Sequence, residues 1–275
     1  MAVEGERRAH KADAYTLEGE HRHYMLARTA AVQAKFLLDH LRPGFRVLDA
    51  GCGAGAITMG MAKAVAPGEV IGIDREASQV DAAIAAAHRR GTRGVTFQVA
   101  DVYSLPFGDN SFDALFSNAV LEHLSEPLRA LREFRRVLRT DGIVGIRNAD
   151  GSGNLLHPDM PLLRETFEAG RAYRRRAGGD YTLGSRTKEL LLEAGFTVVE
   201  VSASYETDST RETIHRWAEM AAAMCKAGPF ADGLVAAGLM ARDRLARAAQ
   251  AWLDWAEMPN AFQARAWVEG LGRKT

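Results

Sequence analysis

Short continuous apolar runs alternate with longer stretches whose apolar positions recur every three or four residues, and this alternation organises most of the chain. The runs at 46–49, 69–74, 94–99, 112–117 and 141–147 read as buried strands. Between them, a helix carries Ile57, Gly60, Met61 and Ala64 on one stripe, and further helices are expected over 76–90 and 127–138. Strands alternating with helices of ten or more residues predict an α/β fold, a doubly wound and mostly parallel sheet whose ligands lie at the carboxyl ends of its strands. Gly184 to Ala194 reads as another helix with Gly195 as its cap, and Phe196 to Val201 as a β-branched strand. Two helical stretches follow, one with Ile214, Trp217, Ala218, Ala221, Met224 and Cys225 on a face, the other with Leu234, Gly238, Leu245, Ala249, Trp252 and Ala256. Pro229 separates them, which predicts a helical hairpin packed on itself. The last piece alternates at Phe262, Ala264, Ala266 and Val268 and reads as a strand, with a helix as the alternative because alanines are frequent. At the other end, residues 1–18 are polar, 19–41 are helical in pattern, and Pro43-Gly44 punctuates before the first strand.

The stretch Arg46 to Thr58, RVLDAGCGAGAIT, is a strand, a glycine turn and a helix start. Glycine suits such a turn because it accepts positive φ and lets a ligand lie on the backbone. Gly51, Gly53 and Ala56 satisfy the dinucleotide fingerprint, so the turn alone permits an NAD or FAD enzyme. Two further carboxylates bear on the choice. Asp74 closes the second run, where an acid can take both ribose hydroxyls, and Asp101 follows the third, where it can accept the exocyclic amine of an adenine. A ribose-binding acid fits both readings, whereas Asp49 inside the turn and Asp101 lie outside the NAD fingerprint.

VLDAGCGAG, then IGID, then ADVYSLPFGDNSFDALFSNAVLEHL, then RVLRTDG, in this order and at these intervals, resembles a class I S-adenosylmethionine-dependent methyltransferase. Within that superfamily the chain is similar to the small-molecule branch related to the ubiquinone and menaquinone biosynthesis C-methyltransferases, over roughly Ala30 to Val201. The resemblance implies a seven-stranded Rossmann-like core over 42–204, an N-terminal helical cap over 1–41 that folds over the cofactor, and a substrate-cap insertion at 150–183. The helical hairpin and closing antiparallel strand would occupy 205–275, all within one integrated domain; the tripeptide AGF and the ending GRK are typical of the family. It further implies S-adenosylmethionine as cofactor, with Gly51, Gly53 and Gly55 approaching its methionine portion and Asp74 its ribose. Asp101 and Val102 would hold the adenine, and Asp49, Arg75 and Asn118 complete the cofactor set. The acceptor is a small molecule whose methylated atom, carbon, oxygen or nitrogen, the motifs leave open. An NAD-dependent oxidoreductase and a catalytically silent cofactor-binding module stand as alternatives.

Residues for acceptor binding and proton transfer fall outside the motifs. His123 carries an imidazole, a group whose unperturbed pKa lies near neutrality, and suits a general base, or it holds the turn before Pro127; His157 is the second histidine candidate. Asn148 and Asn154 sit where the chain leaves the sheet, and Tyr15 and Tyr24, with His21 and His23, lie on the leader. Leu105 and Phe107 either cover the adenine or anchor their loop. Arg171, Arg174, Arg175 and Arg176 either recognise an anionic substrate group or form a solvated face.

Lysine plus arginine equals aspartate plus glutamate at 35 each, so no global field favours nucleic acid or an anionic membrane. No apolar run reaches membrane-spanning length and the N-terminus lacks a signal-peptide core, so a cytoplasmic protein is expected. The two cysteines, Cys52 and Cys225, have no paired spacing and read as reduced packing residues, with no zinc site or disulfide framework. Oligomeric state is left open, a homodimer included.

Overall fold

The computed structural model describes residues 28–275. It falls into two compact units. The sheet unit comprises 28–148, Leu183–Ala203 and Val268–Thr275; the helical unit comprises Ala149–Thr182 and Ser204–Trp267.

In the sheet unit, α1 (Ala30–Gln33) and α2 (Lys35–Leu38) precede β1 (Arg46–Ala50), α3 (Ala56–Val65), β2 (Glu69–Asp74), α4 (Ala77–Arg90), β3 (Val95–Val99) and β4 (Phe112–Asn118). Helix α5 (Pro127–Val137) then leads into β5 (Leu138–Ala149). Four parallel pairings join these strands in the order β3-β2-β1-β4-β5. Their sequences are apolar at successive positions because both faces are covered. On β1, Val47 packs with Ile57, Met61, Val65 and Phe116, while Leu48 and Ala50 join Ile73, Leu115, Phe134 and Ile146 on the other side. Helix α7 (Thr187–Glu193) adds Leu190 and Leu191 to that second cluster.

In the helical unit, α6 (Pro161–Arg176), α8 (Arg211–Lys226), α9 (Pro229–Ala236) and α10 (Arg242–Ala256) share one apolar cluster. Trp252 is its centre, meeting Phe167, Trp217 and Trp255 edge-on at 5.5, 6.4 and 5.7 Å between ring centroids. The arrangement suits the ring quadrupoles. Thr210 starts α8 with a reciprocal capping box to Thr213.

Strands β7 (Thr197–Asp208) and β8 (Phe262–Arg273) each run through both units, and with β6 (Leu155–His157) they complete an eight-stranded sheet, β3-β2-β1-β4-β5-β8-β6, with β7 on β8. The expected closing strand is thus present, and it is a strand rather than a helix. The eighth strand is the addition. β6 lies in the stretch read as a loop, pairing antiparallel with β8 from Leu155↔Ala264 to His157↔Phe262. The expected hairpin is three helices, because Gly238 takes φ 66° and closes α9 with Leu239 N–H on Leu234 O at 2.9 Å. Pro229 does separate the stretches, as the first residue of α9. β5 begins three residues earlier than the apolar run, since Leu138 pairs with Phe112 ahead of a register shift.

Candidate functional site

The carboxyl ends of β1 and β2 in the sheet unit build the site. After Ala50 the chain turns so sharply that Gly51 and Cys52 both donate to Ile73 O, each at 2.8 Å. Gly51, Gly53 and Gly55 have φ of 85°, 51° and 77°. A Cβ at Gly51 would stand 2.2 Å from Val120 Cγ2, and one at Gly55 2.7 Å from Phe97 Cζ. Neither separation is tolerable, so glycine is needed for space as well as for φ. Gly55 then caps α3, and the turn carries its amides to the amino end of that helix.

Two carboxylates flank the turn. Asp49, 2% exposed, accepts from Thr58 Oγ1 at 2.6 Å. Burial, aided by the Asp74 charge and opposed by the Thr58 hydroxyl, pushes its pKa up to about 7. Asp74 accepts from Gly53 N at 2.9 Å and Glu76 N at 3.0 Å, one amide on each oxygen. Burial raises it too, against the pull of those amides. The same burial and the charges of Asp49 and Asp74 push the Cys52 thiol far above its usual range. Both cysteines are free.

An open cleft lies against this turn. Among the residues that line it are Asp49, Gly51, Gly53 and Asn118 from the predicted set, joined by Arg28, Gln79 and Phe116. Asn118, at the end of β4, accepts through Oδ1 from Arg147 Nη1 at 3.2 Å, and Arg147 Nε donates to Glu269 at 3.0 Å. The sequence reading missed Arg28. It precedes an apolar-periodic segment as an ordinary surface arginine would, and only its 9% exposure in the fold marks it out.

The other predicted residues are placed as follows. Gly55 caps α3, and Arg75 pairs with Glu76 at 3.4 Å. Asp101 is exposed, its carboxylate accepting from Tyr103 N at 2.8 Å, and Val102 packs against the sheet cluster. His123 ends a 3-10 turn, Leu121–His123, its amide on Val120 O. His157 belongs to the helical unit, where its exposed ring meets Asn260 Nδ2 at 3.2 Å. Asn148 is buried and donates to Thr187 Oγ1, and Asn154 Oδ1 accepts from Ala266 N at 2.9 Å. Tyr15, Tyr24, His21 and His23 lie outside the described residues.

Two open alternatives are resolved by contacts. Leu105 is buried in the sheet cluster and Phe107 meets Phe112 edge-on at 4.9 Å, so both anchor their loop. Arg136 clamps it further, donating to Phe107 O and Leu105 O while paired with Glu133 and Asp109. Of the arginine run, Arg171 pairs with Glu168, Arg174 is buried over the Tyr181 ring, and Arg176 caps α9 through Ala237 O. Packing and pairing within the helical unit occupy these three.

The family model of a methyltransferase domain matches residues 48–146, which run from β1 to β5. An uncharacterized methyltransferase of Schizosaccharomyces pombe is 30% identical over 203 residues, 69% of this chain and 72% of its own length. The 4+2 cyclase SpnF has a similar solved structure, with 28% identity, a TM-score of 0.52, and coverage of 88% of this chain and 80% of that one. The phosphoethanolamine N-methyltransferase 2 of Haemonchus contortus, solved with phosphomonomethylethanolamine and S-adenosylhomocysteine, superposes with a TM-score of 0.53 at 18% identity, over 85% of this chain and 49% of that one. The glycine turn, the acids ending β1 and β2 and the strand order therefore occur together in a chain that belongs to the methyltransferase family.

Proposed function

We propose that the cleft binds S-adenosylmethionine and that the enzyme transfers its methyl group to a small-molecule acceptor. The observation that carries this reading is one cleft against a glycine turn, flanked by Asp49 and Asp74 at the ends of adjacent parallel strands. The S-adenosylhomocysteine bound by the Haemonchus relative supports it.

Each role follows from the chemistry of the residue. An ionised carboxylate has about four acceptor positions. The two amides on Asp74 leave enough for both ribose hydroxyls. Asp101 and the Val102 backbone receive the adenine, beside the loop that Arg136 fixes. The amides and bare Cα atoms of Gly51 and Gly53 let the methionyl end lie on the backbone, with Arg28 as a cation for its carboxylate. Asp49 supplies a buried acid for the ammonium and sulfonium charges.

When bound, the cofactor supplies a methyl group already activated by its sulfonium, so the protein's task is to hold a nucleophile in line with the S–CH3 bond. Orientation of that kind lowers barriers by roughly 7–11 kcal/mol. A hydroxyl or an enolisable carbon as acceptor also needs a base, for which we assign His123 of the sheet unit.

Calorimetric titration with S-adenosylmethionine, S-adenosylhomocysteine and NADH tests the reading. Binding of the two sulfur ligands without NADH is expected. Binding of NADH alone would move the protein to hydride transfer.

A further inference from the structure

One edge of the sheet unit is open. Among the described residues β7 pairs with β8 and with no other strand, so its far side presents the alternate amides and carbonyls of a strand edge. The part of β7 that belongs to the sheet unit, Thr197 to Ala203, reads TVVEVSA. Proteins commonly blunt such an edge with lysine, proline or several charges, and this segment carries one charged residue, Glu200. Val198 packs against the cluster that α7 joins. Strand alternation turns Val199, Val201 and Ala203 to the opposite face, where Val199 is 45% and Val201 38% exposed. An open edge and an exposed apolar strip therefore coincide over 199–203.

We propose that a second copy of this chain pairs with this edge, antiparallel and about a two-fold axis at Val201, so that the sheet of one copy continues into that of the other. The occupant is a strand because only alternating amides and carbonyls match those of the edge. The segment is self-complementary in one register. A two-fold axis through an antiparallel pair sets each residue opposite one of the same face. Centred on Glu200, it would oppose two carboxylates, and centred on Val199 it would set Glu200 against Val198. Centred on Ser202, it would lose the pairing of valine with valine. Centred on Val201, it sets Val201 against Val201, Val199 against Ala203, and the Glu200 carboxylate against the Ser202 hydroxyl. Apolar pairs directly opposite stabilise a sheet, and like charges there destabilise it. Pairing over so few residues buries less than the roughly 1,000 Å² of a stable complex, so the dimer is a weak and concentration-dependent one. This inference is independent of what the cleft binds.

Sedimentation of the full chain from about 1 μM to about 1 mM tests the association, and the wild type should pass from monomer to dimer within that range. Val201→Lys sets two ammonium groups face to face and should weaken the dimer at least about tenfold. Cysteine oxidation tests the register without relying on that variant. In Val201→Cys each new thiol faces its twin, and a disulfide-linked dimer should form. In Glu200→Cys the twin lies on the diagonal, about 7–8 Å away and beyond disulfide reach, so linkage should be at least about tenfold slower. The wild type, whose Cys52 and Cys225 are both free, is the control and should stay unlinked. A monomer throughout the range, or a dimer untouched by Val201→Lys, would overturn the proposal. Faster linkage of Glu200→Cys than of Val201→Cys would overturn the register. Growth beyond the dimer would also contradict it, since pairing of β7 with β3, at the other end of the sheet, does not close.

Discussion

Asp49 is where burial and function oppose each other most directly. Its folded pKa of about 7 lies above the unfolded 3.8, so the folded state holds the extra proton between those values. Stability from this group is therefore greatest at the acid end of the window and falls as pH rises through about 7, by at most about 1.4 kcal/mol per pH unit. Asp49→Asn, which can still accept from Thr58, should melt higher than the wild type at pH 8 and at the same temperature near pH 4, as differential scanning would show. A cation in the cleft reverses the preference. S-adenosylmethionine should bind more tightly at pH 8 than at pH 6, and release a proton near pH 7 that calorimetry in buffers of different ionisation enthalpy would detect. Asp74→Ala should weaken that binding by about 1.5–3 kcal/mol through loss of a charged acceptor; unchanged affinity would mean the ribose lies elsewhere. His123→Ala should keep cofactor affinity and lose turnover; full turnover in the variant would remove it as base. The positions of Asp49 and Asp74 beside the glycine turn were legible because each closes an apolar run, which fixes both its height on the sheet and the end at which it emerges. Asn148 and Asn154 show the opposite case. Their side chains bond to Thr187 and to the Ala266 amide, since a polar residue at the end of a strand or in a loop has a capacity for hydrogen bonds and no direction written into it.

Elements were legible in proportion to their length and to how completely they are buried. The parallel strands β1, β2 and β4 are near-continuous apolar runs because layers cover both faces, and their ends fell within a residue or two of the expected positions. β6 has three residues, too few for any period, and it exists through its pairing with β8. The break between α9 and α10 was hidden because Gly238 also fits the apolar stripe; its positive φ is a property of the folded backbone. Two predictions belong here. Trp252→Ala should destabilise the helical unit by about 3–5 kcal/mol, measured by denaturant unfolding, because it empties the point where three aromatic rings converge. Arg136→Ala should speed hydrogen exchange across 105–110 while β1 and β4 stay protected, since the clamp holds that loop by two carbonyls and the Asp109 carboxylate.

For the whole molecule, the family follows from the order of the motifs, and the acceptor does not, because a methyl donor that is already activated asks little that is specific of the acceptor side. The chain has a formal net charge of zero, and no helix of the described residues is long and apolar enough to cross a membrane. Balanced charge argues for a small acceptor recognised by local contacts, whereas a polyanion would draw on a field that this composition lacks. Transfer to the true acceptor should accordingly change little between about 50 and 200 mM salt, where nucleic-acid binding falls by orders of magnitude. The cofactor cleft is the centre of the account, and a crystal structure with S-adenosylhomocysteine tests it most directly. The account predicts both ribose hydroxyls within hydrogen-bond distance of Asp74, the adenine beside Asp101, and the homocysteine portion over Gly51 and Gly53. A ligand bound away from the glycine turn, or a ribose with no contact to Asp74, would contradict it.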